Sequence, residues 1–108
     1  MDHETRTLVA GRLLAAYESR EPLEPLTSTY EGMTLEDSYA IQLLQIEQRL
    51  AAGRTVQGHK VGLTSAAMQR LLGVTDPDYG HLLDDFFHLE HMPIPVGTFL
   101  QPRVEPEI

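Results

Sequence analysis

The chain has 108 residues, 42% of them hydrophobic, which suffices for one folded domain or for the leading part of a larger one. Its sixteen acidic and eight basic residues give a net charge of −8, which disfavours nucleic acid and anionic membrane surfaces as partners. The absence of cysteine excludes disulfides, thiolate zinc sites and a cysteine nucleophile. The N-terminus does not resemble a signal peptide and no stretch is long and apolar enough to span a membrane, so we expect a cytoplasmic protein.

Two helices are predicted in the N-terminal half. Apolar residues recur at helical spacing from Thr5 to about Ser19. A second helix is predicted to begin after Thr34, which can cap it, and to stop before Gly53. The intervening "REPLEPLTSTYEG" is rich in proline and turn residues and predicts an extended connector. In the second helix, four apolar residues separated by four, three and four positions predict the buried face. They are Tyr39, Leu43, Ile46 and Leu50.

The pattern changes after Gly53. The stretch "VQGHKVGL" combines β-branched residues with glycines and predicts a strand that a neighbouring backbone approaches closely. Thr64 or Ser65 can cap a short helix, "AAMQRLLG", which Gly73 ends. A loop is predicted over "VTDPDYGHLLDD", and short strands and turns over the proline-rich remainder. The sequence therefore predicts an α+β chain with a helical region, 1–54, and a β-containing region, 55–108.

Two glutamates, Glu105 and Glu107, stand one residue apart near the end of the chain. In a strand their side chains would project from the same side, about 7 Å apart along the chain, and could converge on one hard cation such as Mg²⁺. The same pattern is common in solvated charged segments, since charged residues are mostly exposed. Pro106 between them permits only an edge strand. The spacing alone leaves both interpretations open.

Lys60 lies in "GHKVGLT" between Gly58 and Gly62, within an apolar stretch. Its stem could pack on the strand while its ammonium reaches water, which is the ordinary arrangement of a lysine in a strand. Alternatively, it could serve a site. A protein of net charge −8 needs a local positive charge, either a lysine or a metal ion, to bind an anionic small molecule.

Two further groups of polar residues have weaker functional interpretations. In "HLLDDFFHLEH", a helix would place two histidines and two aspartates on one face, at a spacing that can bind a transition metal, although the flanking turn signals favour a loop. Asp78 in "PDYG" is typical of a turn, and His59 of a packed or surface histidine. The four candidate ligands are His81, Asp84, Asp85 and His88.

Three separated motifs together resemble a known family. "LEDSYAIQ", "GHKVGLTSAAMQRLLGVTDPDYGHLLDD" and "QPRVEPEI", in this order, are similar to the 2-keto-4-pentenoate hydratase and 4-oxalocrotonate decarboxylase family of meta-cleavage pathways for aromatic compounds. The resemblance runs from about Leu35 to Ile108 and more loosely through the first helix.

The resemblance implies a fold and a set of site residues. Family members are similar to fumarylacetoacetate hydrolases and are about twice as long, with a helical part followed by a mixed β-roll that holds Mg²⁺ or Mn²⁺. The chain then corresponds to a truncated N-terminal portion, with region 55–108 as the beginning of the β-roll domain. The family pattern makes Glu105 and Glu107 metal ligands, Lys60 and Asp78 catalytic residues, and Leu72 part of the substrate pocket. The third metal-binding acid belongs to a later strand.

The resemblance also implies a reaction. The expected activity is addition of water to 2-hydroxypenta-2,4-dienoate, which gives 4-hydroxy-2-oxopentanoate; the alternative is decarboxylation of 4-oxalocrotonate. Homo-oligomers or a hydratase–decarboxylase complex are the expected assemblies. A hypothesis of another class is that the 108 residues form a non-catalytic fragment or interaction subunit, which binds a partner through the apolar seam of the second helix. We expect the 108 residues alone to be inactive, because two carboxylates leave the metal under-coordinated.

Overall fold

The computed structural model describes residues 1–107. They form two compact units, one made of Met1–Glu47 together with the segment from Leu89 onward, and the other of Gln48–His88. Ile108, which ends the motif "QPRVEPEI", lies outside the described residues. The proposed boundary between a helical region, 1–54, and the beginning of a β-roll domain, 55–108, stays a prediction.

The first unit is helical. Helix α1 spans His3–Ser19, the short helix α2 Leu26–Thr29, and helix α3 Leu35–Ala51, whose beginning belongs to this unit. Helix α1 begins earlier than predicted because the Asp2 carboxylate caps it, accepting a hydrogen bond from the Thr5 N–H at 2.8 Å. The connector predicted to be extended contains α2.

The core of the first unit joins α1 to α3. Val9, Ala10 and Ile41 are buried and contact one another, and partly buried residues surround them. The predicted seam of α3 is wrong in part, because Leu43 and Leu50 are 45% and 41% exposed. The face that packs on α1 instead carries Ile41, and one turn before it the buried Asp37. The surrounding apolar residues are Met1, Leu13, Leu26, Tyr30, Met33 and Leu44.

Asp37 is the buried charged residue of this unit, and each of its carboxylate oxygens is paired. Oδ2 accepts hydrogen bonds from the Thr34 N–H and hydroxyl at 2.9 and 2.8 Å, and the Thr34 hydroxyl accepts from the Asp37 N–H at 3.2 Å. Oδ1 accepts from Arg6 and lies 3.2 Å from the Met1 amino nitrogen. The Thr34 N–H, Arg6 and the Thr34 hydroxyl hold the pKa of this carboxyl far below its usual range. The predicted cap at Thr34 is therefore confirmed, as part of a reciprocal capping box.

The second unit contains a hairpin of two antiparallel strands with a helix between them. Strand β1, Val56–Gly62, pairs with strand β2, Asp78–Leu83, and helix α4, Ala66–Leu72, connects them. The strand β1 and the helix α4 were both predicted, including the Ser65 cap and the left-handed Gly73 at the C-terminus.

The loop predicted over the second strand is wrong, because "DYGHLL" is β2. Pro77 precedes the strand, where its missing N–H removes no ladder hydrogen bond. Gly80, which also indicates a turn, lies opposite Lys60 in the pairing. A register shift between Val56 and Gly58 leaves Gln57 in a bulge.

Polar contacts close the other end of the hairpin. The Asp84 N–H donates to the Thr55 carbonyl at 2.9 Å, and the Thr55 N–H donates to Asp84 Oδ1 at 3.3 Å. Arg49 pairs with Asp85 at 3.2 Å. Asp84–Phe86 is a 3₁₀ turn that follows a strand. The helix that would have placed His81, Asp84, Asp85 and His88 on one face, which the flanking turn signals disfavoured, is therefore not formed.

The segment after Leu89 contains the 3₁₀ turn Val96–Thr98 and, up to residue 107, no strand, so the short strands predicted there are wrong. Its prolines lack the N–H groups that a ladder needs. Arg20 Nε donates to the Gly97 carbonyl at 3.0 Å and so ties this segment to the end of α1. None of the helices in residues 1–107 has the length and apolar character that crossing a membrane requires.

Candidate active site

One face of the hairpin brings together Lys60 and Asp78. Lys60 lies opposite Gly80, and Asp78 lies opposite Gly62, two residues along each strand. Because directly opposite residues share a face and side chains alternate along a strand, Lys60 and Asp78 project from the same face. They are diagonal neighbours, which in antiparallel pairs lie about 7–8 Å apart. The structure therefore places on one face a cationic and an anionic side chain that lie 18 positions apart in the sequence.

Glycines surround Lys60 on this face. Gly58 and Gly62 lie two residues before and after it in β1, and Gly80 lies opposite it in β2. These three positions contribute no side chain to the face, and the space above Gly58 is open. The two glycines of β1 that flank Lys60 were visible in the sequence, but the third comes from the register of the pair.

The Asp78 carboxylate lies over Gly62. A Cβ added to Gly62 would overlap Asp78 Oδ1 and would stand 3.3 Å from its Cγ. A Cβ at Gly58, on the same face of the same strand, would meet no atom within 4 Å. The contact between Gly62 and Asp78 was not predicted from the sequence, because it depends on which residue of β2 faces Gly62.

The chain turns sharply directly after Gly62. Leu63 has φ of 53°, which lies in the left-handed region. For a residue other than glycine, this conformation costs about 1–3 kcal/mol. Its carbonyl accepts a hydrogen bond from Gln69 Nε2 of α4 at 2.7 Å. Strained backbone of this kind concentrates at binding and catalytic sites, where the surrounding structure holds it in place. Sequence reasoning did not single out Gln69, whose amide holds the backbone that follows Gly62.

Leu72 lies in the last turn of α4, in the same unit as Lys60 and Asp78. Its side chain is 57% exposed, and the side chains of its neighbours Met68 and Leu71 are 45% and 74% exposed. An exposed apolar residue is available to line a pocket for the carbon chain of a ligand.

Glu105 and Glu107 belong to the other unit and are both exposed. They lie outside any regular element, so the strand assumed in the sequence argument is not present in the described residues. Within residues 1–107, no three carboxylate or histidine side chains are grouped as a metal centre. The two carboxylates nevertheless supply the hard oxygen donors that Mg²⁺ and Mn²⁺ prefer, and Mg²⁺ commonly takes one or two protein carboxylates with waters and substrate oxygens. The chemical type of these two ligands, carboxylate oxygen, therefore suits such an ion.

The opposite face of the hairpin carries two histidines. His59 lies directly opposite His81, with ring centroids 4.9 Å apart and ring planes inclined by 56°. His81 Nδ1 is buried and makes no hydrogen bond to any described residue. This pair faces away from Lys60, so the structure assigns His59 to the side of the sheet that Lys60 does not occupy.

The chain is similar to several hydratases along nearly its whole length. It is 44% identical over 107 residues to 2-oxo-hept-4-ene-1,7-dioate hydratase of Escherichia coli, covering 99% of this chain and 40% of that protein. It is 41% identical over 108 residues to 2-keto-4-pentenoate hydratase of Paraburkholderia xenovorans, covering 100% and 40% of the two chains. A 2-hydroxypent-2,4-dienoate hydratase of Pseudomonas putida is 40% identical, with 100% and 49% covered. The chain thus spans two fifths to one half of the length of these relatives.

A solved structure has the same fold over most of the chain. It is 4-oxalocrotonate decarboxylase from Pseudomonas putida, determined with magnesium and adipate, and it matches with a TM-score of 0.74 and 30% identity. The match covers 80% of this chain and 33% of the decarboxylase chain. The same decarboxylase was also determined with calcium and acetate.

No protein-family model matches the chain. The resemblance inferred from the three motifs agrees with both the hydratases and the decarboxylase structure. The chain is therefore homologous, along nearly its whole length, to part of the 2-keto-4-pentenoate hydratases, and it shares its fold with part of a 4-oxalocrotonate decarboxylase.

Proposed function

We propose that this chain is part of a metal-dependent hydratase that adds water to 2-hydroxypenta-2,4-dienoate and forms 4-hydroxy-2-oxopentanoate. The observation that carries the proposal is the placement of Lys60 and Asp78 on one glycine-rich face of the hairpin, in a chain 40–44% identical to hydratases. The chain would be part of a larger protein whose remainder completes a β-roll, and the greater length of its relatives supports this.

Lys60 would act on the C2 oxygen of the substrate. When the dienol becomes the 2-oxo tautomer, the C2 hydroxyl loses its proton and C5 gains one, and negative charge develops on the C2 oxygen in between. An ammonium group beside this oxygen stabilises the charge, or donates and accepts the proton directly. The open space above Gly58, which lies two residues from Lys60 on the same face, would accommodate the planar dienoate.

Asp78 would act on the water. In the 2-oxo tautomer the C3–C4 double bond is conjugated with the ketone, so that water can add at C4. A carboxylate that accepts the proton of this water as its oxygen bonds to C4 is a general base, and the electron pair moves through C3 to the C2 oxygen near Lys60. Protonation of C3 then yields the 4-hydroxy-2-oxo acid. Leu72 would line the apolar end of the substrate.

Glu105 and Glu107 would hold a divalent cation, Mg²⁺ or Mn²⁺. When bound, such an ion supplies Lewis acidity toward the carboxylate and the C2 oxygen of a 2-oxo acid. The decarboxylase structures, determined with magnesium or calcium, support a divalent cation in this family. With two carboxylates and only part of the β-roll, the 108 residues by themselves are expected to be inactive.

The second candidate function is decarboxylation of 4-oxalocrotonate, which the match to the decarboxylase structure favours. There, loss of carbon dioxide leaves the same charge on the C2 oxygen, and Lys60 would have the same role without the need for a base acting on water. A hydratase and a decarboxylase that share this fold could also associate, in addition to forming homo-oligomers.

Activity assays of the complete gene product that contains this chain distinguish the two candidate functions. Incubated with Mg²⁺, it should consume 2-hydroxypenta-2,4-dienoate and form 4-hydroxy-2-oxopentanoate. Release of carbon dioxide from 4-oxalocrotonate without hydration of the dienoate would establish the decarboxylase instead.

A further inference from the structure

We infer that Gly62 is a positioning residue whose missing side chain provides the space in which the Asp78 carboxylate lies, on the same face as Lys60. This inference rests on the role of Asp78 in the proposed function, but the contact itself does not. It assigns a function to a glycine that the sequence had distinguished only as a neighbour of Lys60.

The backbone conformation of Gly62 does not require glycine. Its φ lies outside the left-handed region in which glycine is favoured, unlike Gly32, Gly53 and Gly73, which have φ of 78°, 98° and 69°. An alanine could therefore adopt this backbone conformation. A glycine within a strand also weakens the strand through its conformational entropy, so some other requirement must explain its presence.

The space above Gly62 is the property that distinguishes it. A Cβ there would overlap Asp78 Oδ1 and stand 3.3 Å from Asp78 Cγ, and Asp78 is the residue directly opposite in the pair of strands. Gly58, which lies on the same face of β1, has no atom within 4 Å of its added Cβ. Close packing over one glycine and open space over the other show that the contact is specific to Asp78.

The backbone after Gly62 has little freedom to relieve the overlap. Leu63 is held in a left-handed conformation, and its carbonyl is bound by Gln69 of α4. The Asp78 side chain, by contrast, ends in a carboxylate that can rotate. In a Gly62→Ala variant we therefore expect the carboxylate to turn away, with little change in the stability of the fold.

The displaced carboxylate should be measurable without any activity. In the 108-residue chain, the ¹³C chemical shift of Asp78 Cγ and the side-chain torsion angle of Asp78 should change in Gly62→Ala and stay unchanged in the matched variant Gly58→Ala. If the shift and the torsion angle of Asp78 in Gly62→Ala equal those of the unaltered chain, the inference is wrong, whatever the protein catalyses.

The second arm uses turnover of the dienoate by the complete gene product. Gly62→Ala should lower kcat about 10- to 100-fold with a smaller change in KM, because a displacement of about 1 Å in a catalytic group has an effect of this size. In an Asp78→Asn background, adding Gly62→Ala should cause no further loss. An equal loss of kcat with and without the Asp78 carboxylate would show that Gly62 acts otherwise and would overturn the inference.

The two arms distinguish the failure of this inference from the failure of the proposed function. If Asp78→Asn retains full turnover while the Asp78 signals still move in Gly62→Ala, then the contact is real and the catalytic role of Asp78 is wrong. If the Asp78 signals do not move, the positioning by Gly62 is wrong and the proposed function is unaffected.

Discussion

Arg6 on α1 donates two hydrogen bonds to a single oxygen of Asp37 on α3, from Nε at 3.0 Å and from Nη2 at 2.8 Å. The same carboxylate caps α3 through its other oxygen, which accepts from Thr34. One buried aspartate therefore both begins a helix and attaches it to its neighbour. Asp37 is buried on α3, whereas Leu43 and Leu50 of the apolar seam that the sequence indicated are exposed.

We predict that Asp37→Ala destabilises the chain more than Thr34→Ala does. Loss of the threonine cap should lower the free energy of unfolding by about 0.5–2 kcal/mol. Loss of Asp37 removes the cap and also leaves Arg6 and the Met1 amino group without their shared partner. Urea denaturation followed by circular dichroism measures both, with the exposed first-turn Glu36→Gln as control, for which less than about 0.5 kcal/mol is expected. Equal destabilisation by Asp37→Ala and Thr34→Ala would contradict the prediction.

We also predict that Asp37 makes stability sensitive to acid. Its folded-state pKa is depressed by Thr34 and Arg6, so the unfolded chain takes up a proton more readily than the folded one as the pH falls. The stabilisation is complete above the unfolded-state pKa and is lost progressively from about pH 5 downward. In Asp37→Asn, which does not titrate, the fall in stability over this range should be shallower than in the unaltered chain. Parallel curves for the two proteins would show that other groups cause the acid dependence.

Lys60→Met in the complete gene product should lower kcat for 2-hydroxypenta-2,4-dienoate by about 100- to 10,000-fold, the range expected for loss of a proton-transfer or charge-stabilising group. Arg70→Met, which removes an exposed cation from α4, serves as the matched control and should leave kcat unchanged. Steady-state rates for both variants test this directly. A Lys60→Met enzyme that turns over at the rate of the control would remove Lys60 from the mechanism.

Glu105→Gln and Glu107→Gln should each weaken the binding of Mn²⁺ by the complete gene product about tenfold or more, since each removes one negative oxygen ligand of a hard cation. Calorimetry or electron paramagnetic resonance of Mn²⁺ provides the affinity without relying on turnover. Glu90→Gln, an exposed acid of the same segment, controls for the loss of one negative charge. Unchanged affinity in both variants would favour the solvated charged segment that the Glu-x-Glu spacing left open.

The parts of the fold that were predicted correctly have local signals. Ser65 and Gly73 mark the two ends of α4 because capping and left-handed termination act within a few residues. Strand β2 was missed because its stability comes from pairing with β1, whose residues lie 16 to 27 positions earlier in the sequence, whereas its own proline and glycine indicate a loop. The buried face of α3 was misplaced for the same reason, since the partners of Asp37 lie on α1.

In the candidate site, too, the sequence indicated some features and not others. Lys60, Asp78 and the glutamates could be named from the motifs, because the residue types and the resemblance pointed to them. That Lys60 and Asp78 share a face, and that Gly62 leaves room for the carboxylate, depends on the register of two strands. Pattern analysis provides no register for a strand that it does not detect.

The most direct test of the account is hydration of 2-hydroxypenta-2,4-dienoate by the complete gene product in the presence of Mg²⁺, compared with its Asp78→Asn variant. We predict that 4-hydroxy-2-oxopentanoate forms, and that the variant loses hydration while it retains Mg²⁺ binding. A folded, Mg²⁺-binding protein that forms no hydration product would contradict the account.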